Sequence, residues 1–147
     1  MKIIYARESI PKDIFTKSIF LAGPTPRSGK VKSWRLDALG ILKKLNFDGC
    51  VFVPEPFGKN YQEQINWEWL ALEKADCILF WIPRNLDTLP GFTTNIEFGF
   101  YASSGKAVVG MPPEAVKTKY ISAMCERFSI PNSSTLHETI HSALTML

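Results

Sequence analysis

Runs of apolar, strand-forming residues recur along the chain, and most of them are continuous rather than alternating with polar residues. Continuous apolar runs are typical of strands that are covered on both faces, as in parallel sheets. We therefore predict a strand at each run. The predicted strands are Lys2–Tyr5, Ser18–Ala22, Cys50–Val53, Cys77–Ile82 and Ala107–Met111.

The segments between these runs place apolar residues at helical spacing. In residues 61–75, Ile65, Trp69 and Leu72 form one apolar stripe, which leaves Trp67 off the stripe. For that reason we interpret Trp67 as a base-stacking or subunit-contact residue. The predicted helices are Val31–Leu45, Tyr61–Ala75, Thr94–Ser104, Tyr120–Phe128 and Leu136–Leu147.

The alternation of strands and helices predicts a doubly wound α/β sheet, because parallel strands need crossover connections and the helices supply them. We expect five mostly parallel strands with helices on both faces. The segment before Ser18 is assigned to an extra N-terminal edge strand. No linker or internal repeat divides the chain, so residues 1–147 are predicted to form a single domain.

Composition and charge narrow the class of protein. Of the 147 residues, 46% are hydrophobic and 21% are charged, an ordinary balance for a globular protein with a core. The formal net charge of +3 gives no reason to expect a nucleic-acid polymer as partner. The N-terminus lacks the apolar stretch of a signal peptide, and no run approaches the roughly 20 apolar residues of a membrane span. We expect no membrane partner.

The cysteine and histidine residues bear on the compartment and on a possible metal site. Cys50, Cys77 and Cys125 are widely spaced and odd in number, which favours reduced thiols in a reducing compartment and hence a cytoplasmic protein. His137 and His141 have helical spacing but no third ligand nearby, so a surface helix is favoured over a metal site.

The loops after the strands hold the candidate chemistry, because ligands of open α/β sheets bind beyond the carboxyl ends of the strands. The loop Gly23–Lys30 combines glycine, which permits close backbone approach, with donors for a sugar or phosphate. It is not a phosphate-binding P-loop, because Val31 stands where Ser or Thr is required. An ordinary polar loop is the alternative interpretation. The candidate binding residues from this loop are Gly23, Pro24, Thr25 and Arg27.

The segment Thr94–Glu97 fits the Ser/Thr-x-x-Glu pattern of a helix capping box. Under one interpretation Glu97 only closes the N-terminus of the helix. Under the other, the helix dipole keeps the Glu97 carboxylate charged while it faces the crevice, where it attacks a sugar. The two interpretations are compatible.

Two further carboxylates are candidates for the same crevice. Glu68 lies beside the apolar stripe of its predicted helix and can reach past the strand ends, although a solvated helix carboxylate is the alternative. Glu55 directly follows the strand Cys50–Val53.

Three segments together resemble the nucleoside 2-deoxyribosyltransferase family and its nucleotide N-hydrolase relatives: Ile19–Thr25 (IFLAGPT), Ala75–Phe80 (ADCILF) and Asn95–Gly99 (NIEFG). The resemblance implies a flavodoxin-like α/β fold and a small-molecule nucleoside or nucleotide as substrate, with no metal or cofactor. It also implies that Glu97 is the nucleophile. Glu68 falls where the family carries an aspartate that handles the proton of the nucleobase.

The chain departs from the family pattern at two positions. Phe20 stands where the family often has a tyrosine that holds the nucleophile, and we consider Tyr101 as its substitute. Gly91 stands where the family has a sugar-binding aspartate. The residues expected to contact the sugar in its place are Thr93, Thr94 and Asn95.

The resulting hypothesis is transfer of a 2-deoxyribosyl group between nucleobases. Glu97 forms a covalent ester at C1′ and Glu68 donates a proton to the leaving base, with the two carboxyls about 5–5.5 Å apart as in retaining glycosidases. One alternative is a nucleoside 5′-monophosphate N-glycosidase, and a second is a non-catalytic nucleotide-binding module. The resemblance also implies a homo-oligomer, for which Trp67 and the C-terminal segment are the candidate contacts.

Overall fold

The computed structural model of the protein describes residues 1–11, 17–27, 29, 31–56 and 60–147. Within them, the strands are β1 (Lys2–Tyr5), β2 (Ser18–Ala22), β3 (Cys50–Val53), β4 (Cys77–Trp81), β5 (Ala107–Gly110) and β6 (Asn132–Ser133). The helices are α1 (Arg35–Lys44), α2 (Tyr61–Lys74), α3 (Phe92–Tyr101), α4 (Lys119–Phe128) and α5 (Leu136–Met146). None of these helices is long and apolar enough to cross a membrane.

The strands form one parallel sheet with the order β1-β3-β2-β4-β5-β6. Without β1, the remaining five strands have the flavodoxin-like order 2-1-3-4-5. The predicted flavodoxin-like α/β fold is therefore confirmed, and β1 is the predicted N-terminal edge strand. The strand count is six because of β6, which was not predicted. β6 is only two polar residues long, so no apolar run marks it.

Side chains alternate between the two faces of the sheet and build one apolar cluster on each. Phe20 and Phe80 belong to the cluster covered by α2, α3 and α4, whereas Leu21 and Leu79 belong to the one covered by α1 and α5. Full burial of each such side chain is worth about 1.5–3 kcal/mol. Both faces are apolar, so the strands read as continuous apolar runs in the sequence.

The structure shifts the buried face of α2 away from the predicted stripe, of which Leu72 is buried but Trp69 is not. Trp67 is 7% exposed and donates its indole N–H to the Glu8 carbonyl oxygen at 2.9 Å, whereas Trp69 is 66% exposed. The prediction that Trp67 is a stacking or subunit-contact residue is therefore wrong. The buried face of α2 also includes polar Gln64 and small Ala71, so a stripe chosen by large apolar residues matched it only at Leu72.

Candidate active site

A cavity of about 230 Å³ opens beyond the carboxyl ends of β2 and β4, where the winding direction of the chain reverses. Ligands of doubly wound sheets bind at this position. Nine of the residues selected from the sequence lie together on its wall. They are Phe20, Gly23, Pro24, Thr25, Arg27, Glu68, Thr93, Thr94 and Glu97.

Other selected residues lie elsewhere. The described residues that line the cavity do not include Glu55, Asn95 or Tyr101. Glu55 accepts a hydrogen bond from Arg35, behind the loop that follows β2. Asn95 faces a separate cavity and accepts a hydrogen bond from Arg84. Tyr101 packs against the apolar cluster under α3 and does not line the cavity, although its pKa is raised by burial and also by the charge of Glu97.

Glu97 lies in the second turn of α3 rather than at its front. The helix begins at Phe92 after the N-cap residue Gly91, and no side chain caps it. The predicted capping box at Thr94–Glu97 is therefore wrong, because the chain enters the helix three residues earlier than Thr94. The benefit that a helix dipole gives to a carboxylate is confined to the first turn, so Glu97 is largely outside it.

Gly91 fixes the start of α3 against the loop after β2. Its φ of +65° lies in the left-handed region, where a side chain is strained. A Cβ at this position would lie 3.3 Å from the Cβ of Pro24. The close fit of Gly91 to Pro24 brings Thr93 and Thr94, in the first turn of the helix, onto the cavity wall.

Arg35 organises the floor of the cavity and is 2% exposed. Its guanidinium donates to the carbonyl oxygens of Leu21 and Gly23 at 2.9 and 2.7 Å and to Thr25 Oγ1 at 3.0 Å. It also forms an ion pair with Glu55 Oε1 at 2.7 Å. Arg35 was not selected from the sequence. A missed signal is that Arg35 shares a helical face with Ala38 and Leu42.

The electrostatics of the cavity oppose a second negative charge. Burial raises the pKa of Glu97 to about 8, repulsion from Glu68 adds to the rise, and Arg35 partly offsets it. Burial also raises the pKa of Glu68, while a hydrogen bond from Gln64 at 2.7 Å and the charge of Arg35 oppose that rise. Near neutral pH the proton therefore favours Glu97, contrary to the ionised Glu97 predicted from the helix dipole.

Aromatic residues that were not selected from the sequence form the rim. Tyr61, the first residue of α2, and Phe92, the first residue of α3, both line the cavity while remaining largely exposed. The guanidinium carbon of Arg27 lies 5.7 Å from the centre of the Phe92 ring, within cation–π range. The rim therefore offers flat apolar surfaces and one positive charge.

Sequence comparison identifies the type of protein to which this cavity belongs. Residues 16–115 match the family model described as nucleoside 2-deoxyribosyltransferase like, which covers more than half of the chain. The chain belongs to this family. A search of curated proteins found no match to the chain.

Family membership gives the departures at Phe20 and Gly91 a structural reading. Phe20 is buried on the cavity wall, where it presents a ring without a hydroxyl, and Tyr61 is the tyrosine that does line this cavity. Gly91 is needed for the turn into α3, so an aspartate there would be strained. Within the described residues, no three His, Cys, Asp or Glu side chains gather in a way that could hold a metal ion.

Proposed function

We propose that the protein transfers a 2-deoxyribosyl group from one nucleobase to another, with Glu97 as nucleophile and Glu68 as the acid and base. The observation that carries this proposal is the shared cavity of two carboxyls whose pKa values are both raised, beside the buried cation Arg35. Titratable groups with perturbed pKa values in a cleft are characteristic of catalytic sites.

The reaction balances with these two groups alone. A Glu97 carboxylate oxygen bonds to C1′ as the N-glycosidic bond breaks, and the Glu68 proton passes to the departing base. A nitrogen of the second base then attacks C1′, releases the Glu97 carboxylate and returns a proton to Glu68. This is the split use of two carboxyls in a retaining glycosidase.

The first step needs the proton on Glu68 and the charge on Glu97, which is the reverse of the distribution that burial favours without substrate. A sugar hydroxyl that donates a hydrogen bond to Glu97 would stabilise its charged form and lower its pKa. We infer that substrate binding moves the proton within the pair. Thr93 and Thr94 on the same wall are the proposed contacts for the sugar.

The decisive experiment is base exchange between a deoxynucleoside and a second free base. Glu97→Gln is expected to lower kcat by about 10³-fold or more, because it removes the nucleophile and leaves only the binding contributions. The control is Glu126→Gln, an exposed carboxylate on α4, which should exchange bases at the wild-type rate. A Glu97→Gln variant that retained the wild-type rate would exclude the proposal.

A second candidate is hydrolysis of nucleoside 5′-monophosphates, with water in place of the acceptor base. The observation that favours it is Arg27 on the cavity wall, next to the first turn of α3, whose N–H groups lack helical partners. Ser28 and Lys30 of the same loop lie outside the described residues. Comparison of dCMP and dGMP with their nucleosides separates the two functions. Tight nucleotide binding without turnover would favour a non-catalytic module.

We also propose that the protein assembles with itself through the outer face of α3. Ile96 and Phe100 are 75% and 77% exposed, and Phe92 continues the same stripe to the rim of the cavity. Contiguous exposed apolar residues of this kind are typical of protein–protein contacts. The C-terminal helix α5, considered from the sequence, buries Ile140 and Ala143 in its own core.

For the compartment, we propose the cytoplasm. Cys50, Cys77 and Cys125 are buried free thiols. Unpaired cysteines are the norm where the surroundings are reducing.

A further inference from the structure

Arg35 and Arg84 are both largely hidden from solvent, and only one of them has a carboxylate partner among the described residues. Arg35 is paired with Glu55. Arg84, just after β4, is 5% exposed and has no ion pair within the described part of the chain. A buried cation without a counter-charge is costly, so the surroundings of Arg84 require an explanation.

The hydrogen bonds of Arg84 to the described part of the chain are few and involve neutral acceptors. One terminal nitrogen donates to the Lys117 carbonyl oxygen at 2.9 Å, and the other donates to Asn95 Oδ1. Nε is buried and has no hydrogen-bond partner among the described residues. A guanidinium has five N–H donors, so several remain for another acceptor. Burial lowers the pKa of Arg84, and within the described residues no carboxylate opposes this.

Arg84 lines a second cavity, of about 420 Å³, between α3 and α4. Lys117, which is exposed and carries a second positive charge, also lines the cavity. The lining further includes the apolar and aromatic residues Phe98, Tyr120 and Met124. The cavity therefore combines two cations with an apolar surface, which is the chemistry that receives an anionic group carried on a small apolar body.

We propose that this second cavity binds the phosphate or carboxylate group of a small molecule, with Arg84 and Lys117 as its cationic partners. The planar fork of arginine matches both oxyanions, and an oxyanion there would supply the missing counter-charge. The site is distinct from the cavity of Glu97. Asn95 and Gly99 on α3 line this second cavity, whereas Thr94 and Glu97 on the same helix line the first.

Binding can be measured without any turnover. Inorganic phosphate and phenyl phosphate are titrated into isotopically labelled protein, and the backbone amide signals are followed by NMR. We expect saturable shifts at Asn95, Gly99 and Tyr120 with both probes, and tighter binding of phenyl phosphate because its ring packs against the apolar wall. Failure of the Glu97 chemistry would leave this result unchanged.

Substitutions at Arg84 and Lys117 test whether these two cations bind the anionic group. Lys117→Asn removes one charge while tolerating the left-handed φ of +56° at this position, and it should weaken binding at least about threefold. Arg84→Gln should abolish saturable binding. The control Lys119→Asn removes an exposed lysine of α4 that does not line the cavity, and it should bind like the wild type.

Three outcomes would overturn the proposal. They are the absence of saturable shifts around the second cavity, shifts confined to the loop after β2 and the first turn of α3, and equal losses in Lys117→Asn and Lys119→Asn. The Lys117 variant keeps the test decisive if Arg84→Gln does not fold.

Discussion

At the scale of single residues, Glu97 and Glu68 share one proton over the neutral range, because burial raises the pKa of both and repulsion from Glu68 adds to the rise at Glu97. Two strongly interacting carboxyls titrate as a pair, so in the proposed mechanism activity follows the population that carries one proton. Above a pH of about 8 the pair loses this proton, and with it the proposed acid for the leaving base. At lower pH both carboxyls are protonated, and the proposed nucleophile is lost.

We therefore expect a bell-shaped dependence of kcat/KM on pH, with the alkaline limb near about 8. Glu68→Gln should remove this limb and leave only a rise with pH. That rise should lie below about 8, because the repulsion that raises the pKa of Glu97 is gone. Initial rates of base exchange over a series of buffers measure both profiles. An alkaline limb unchanged in Glu68→Gln would contradict the shared proton.

The same carboxyl makes the stability of the protein depend on pH. Folding raises the pKa of Glu97 from its ordinary value of 4.5 to about 8. Its stabilising contribution is full below about 4.5 and is lost as the pH rises through about 8, because the folded state resists ionisation there. Glu97→Gln has no such loss.

We expect the Tm of Glu97→Gln to exceed that of the wild type by a few degrees at a pH above 8, and the two to converge near pH 5. Differential scanning calorimetry at the two pH values measures the difference. Glu126→Gln, whose carboxylate is exposed, should follow the wild type at both. A constant difference between Glu97→Gln and the wild type at all pH values would refute the proposed coupling.

At the scale of elements, the start of α3 decides the geometry of the cavity. Gly91→Ala should destabilise the fold by about 1–2 kcal/mol, because alanine is strained at a φ of +65° and its Cβ would crowd Pro24. Relief of this crowding would displace the start of α3 and with it Thr93 and Thr94. We therefore expect kcat/KM to fall. Urea unfolding and base-exchange kinetics measure the two effects.

The matched control for Gly91→Ala is Gly40→Ala on α1, where a Cβ meets nothing within 4 Å. Alanine in this exposed helix interior should stabilise the fold by about 0.5–1 kcal/mol. If both variants changed the free energy of unfolding in the same direction, the special role of Gly91 would be refuted.

The sequence was sufficient to predict the strands β1 to β5, but not the buried face of α2 or the start of α3. The five continuous apolar runs predicted β1 to β5 because burial on both faces leaves few polar positions in a strand. The buried face of α2 was predicted incorrectly because it mixes polar and small residues with Trp67. The capping box failed because a left-handed glycine began α3 three residues before Thr94, and local motifs do not report such a turn.

At the scale of the whole molecule, the sequence indicated which loops would meet, because parallel strands end at one edge of the sheet. It did not reveal Arg35 as the floor of the cavity, since a buried arginine reads as a surface cation until its partners from the loop after β2 and from Glu55 are in place. The aromatic rim was missed for the opposite reason. Tyr61 and Phe92 begin helices, and their side chains contribute little to the core.

That rim leads to a prediction about assembly. Phe92 joins the exposed stripe of α3 to the cavity, so a second copy on this face would cover part of the rim. Light scattering after size exclusion should give a multiple of the 16.6 kDa chain mass. Replacing Ile96 and Phe100 together with lysine should give the chain mass, because two charges cannot be buried in an apolar contact.

The control for this double variant is Leu36→Lys, since Leu36 is an equally apolar, exposed residue on α1, at the opposite face of the sheet. It should assemble like the wild type. If covering the rim matters for substrate binding, the monomeric double variant should show a raised KM although Glu97 and Glu68 are intact. A wild-type protein of single-chain mass would contradict the assembly, and a double variant with unchanged mass would place the contact on another surface.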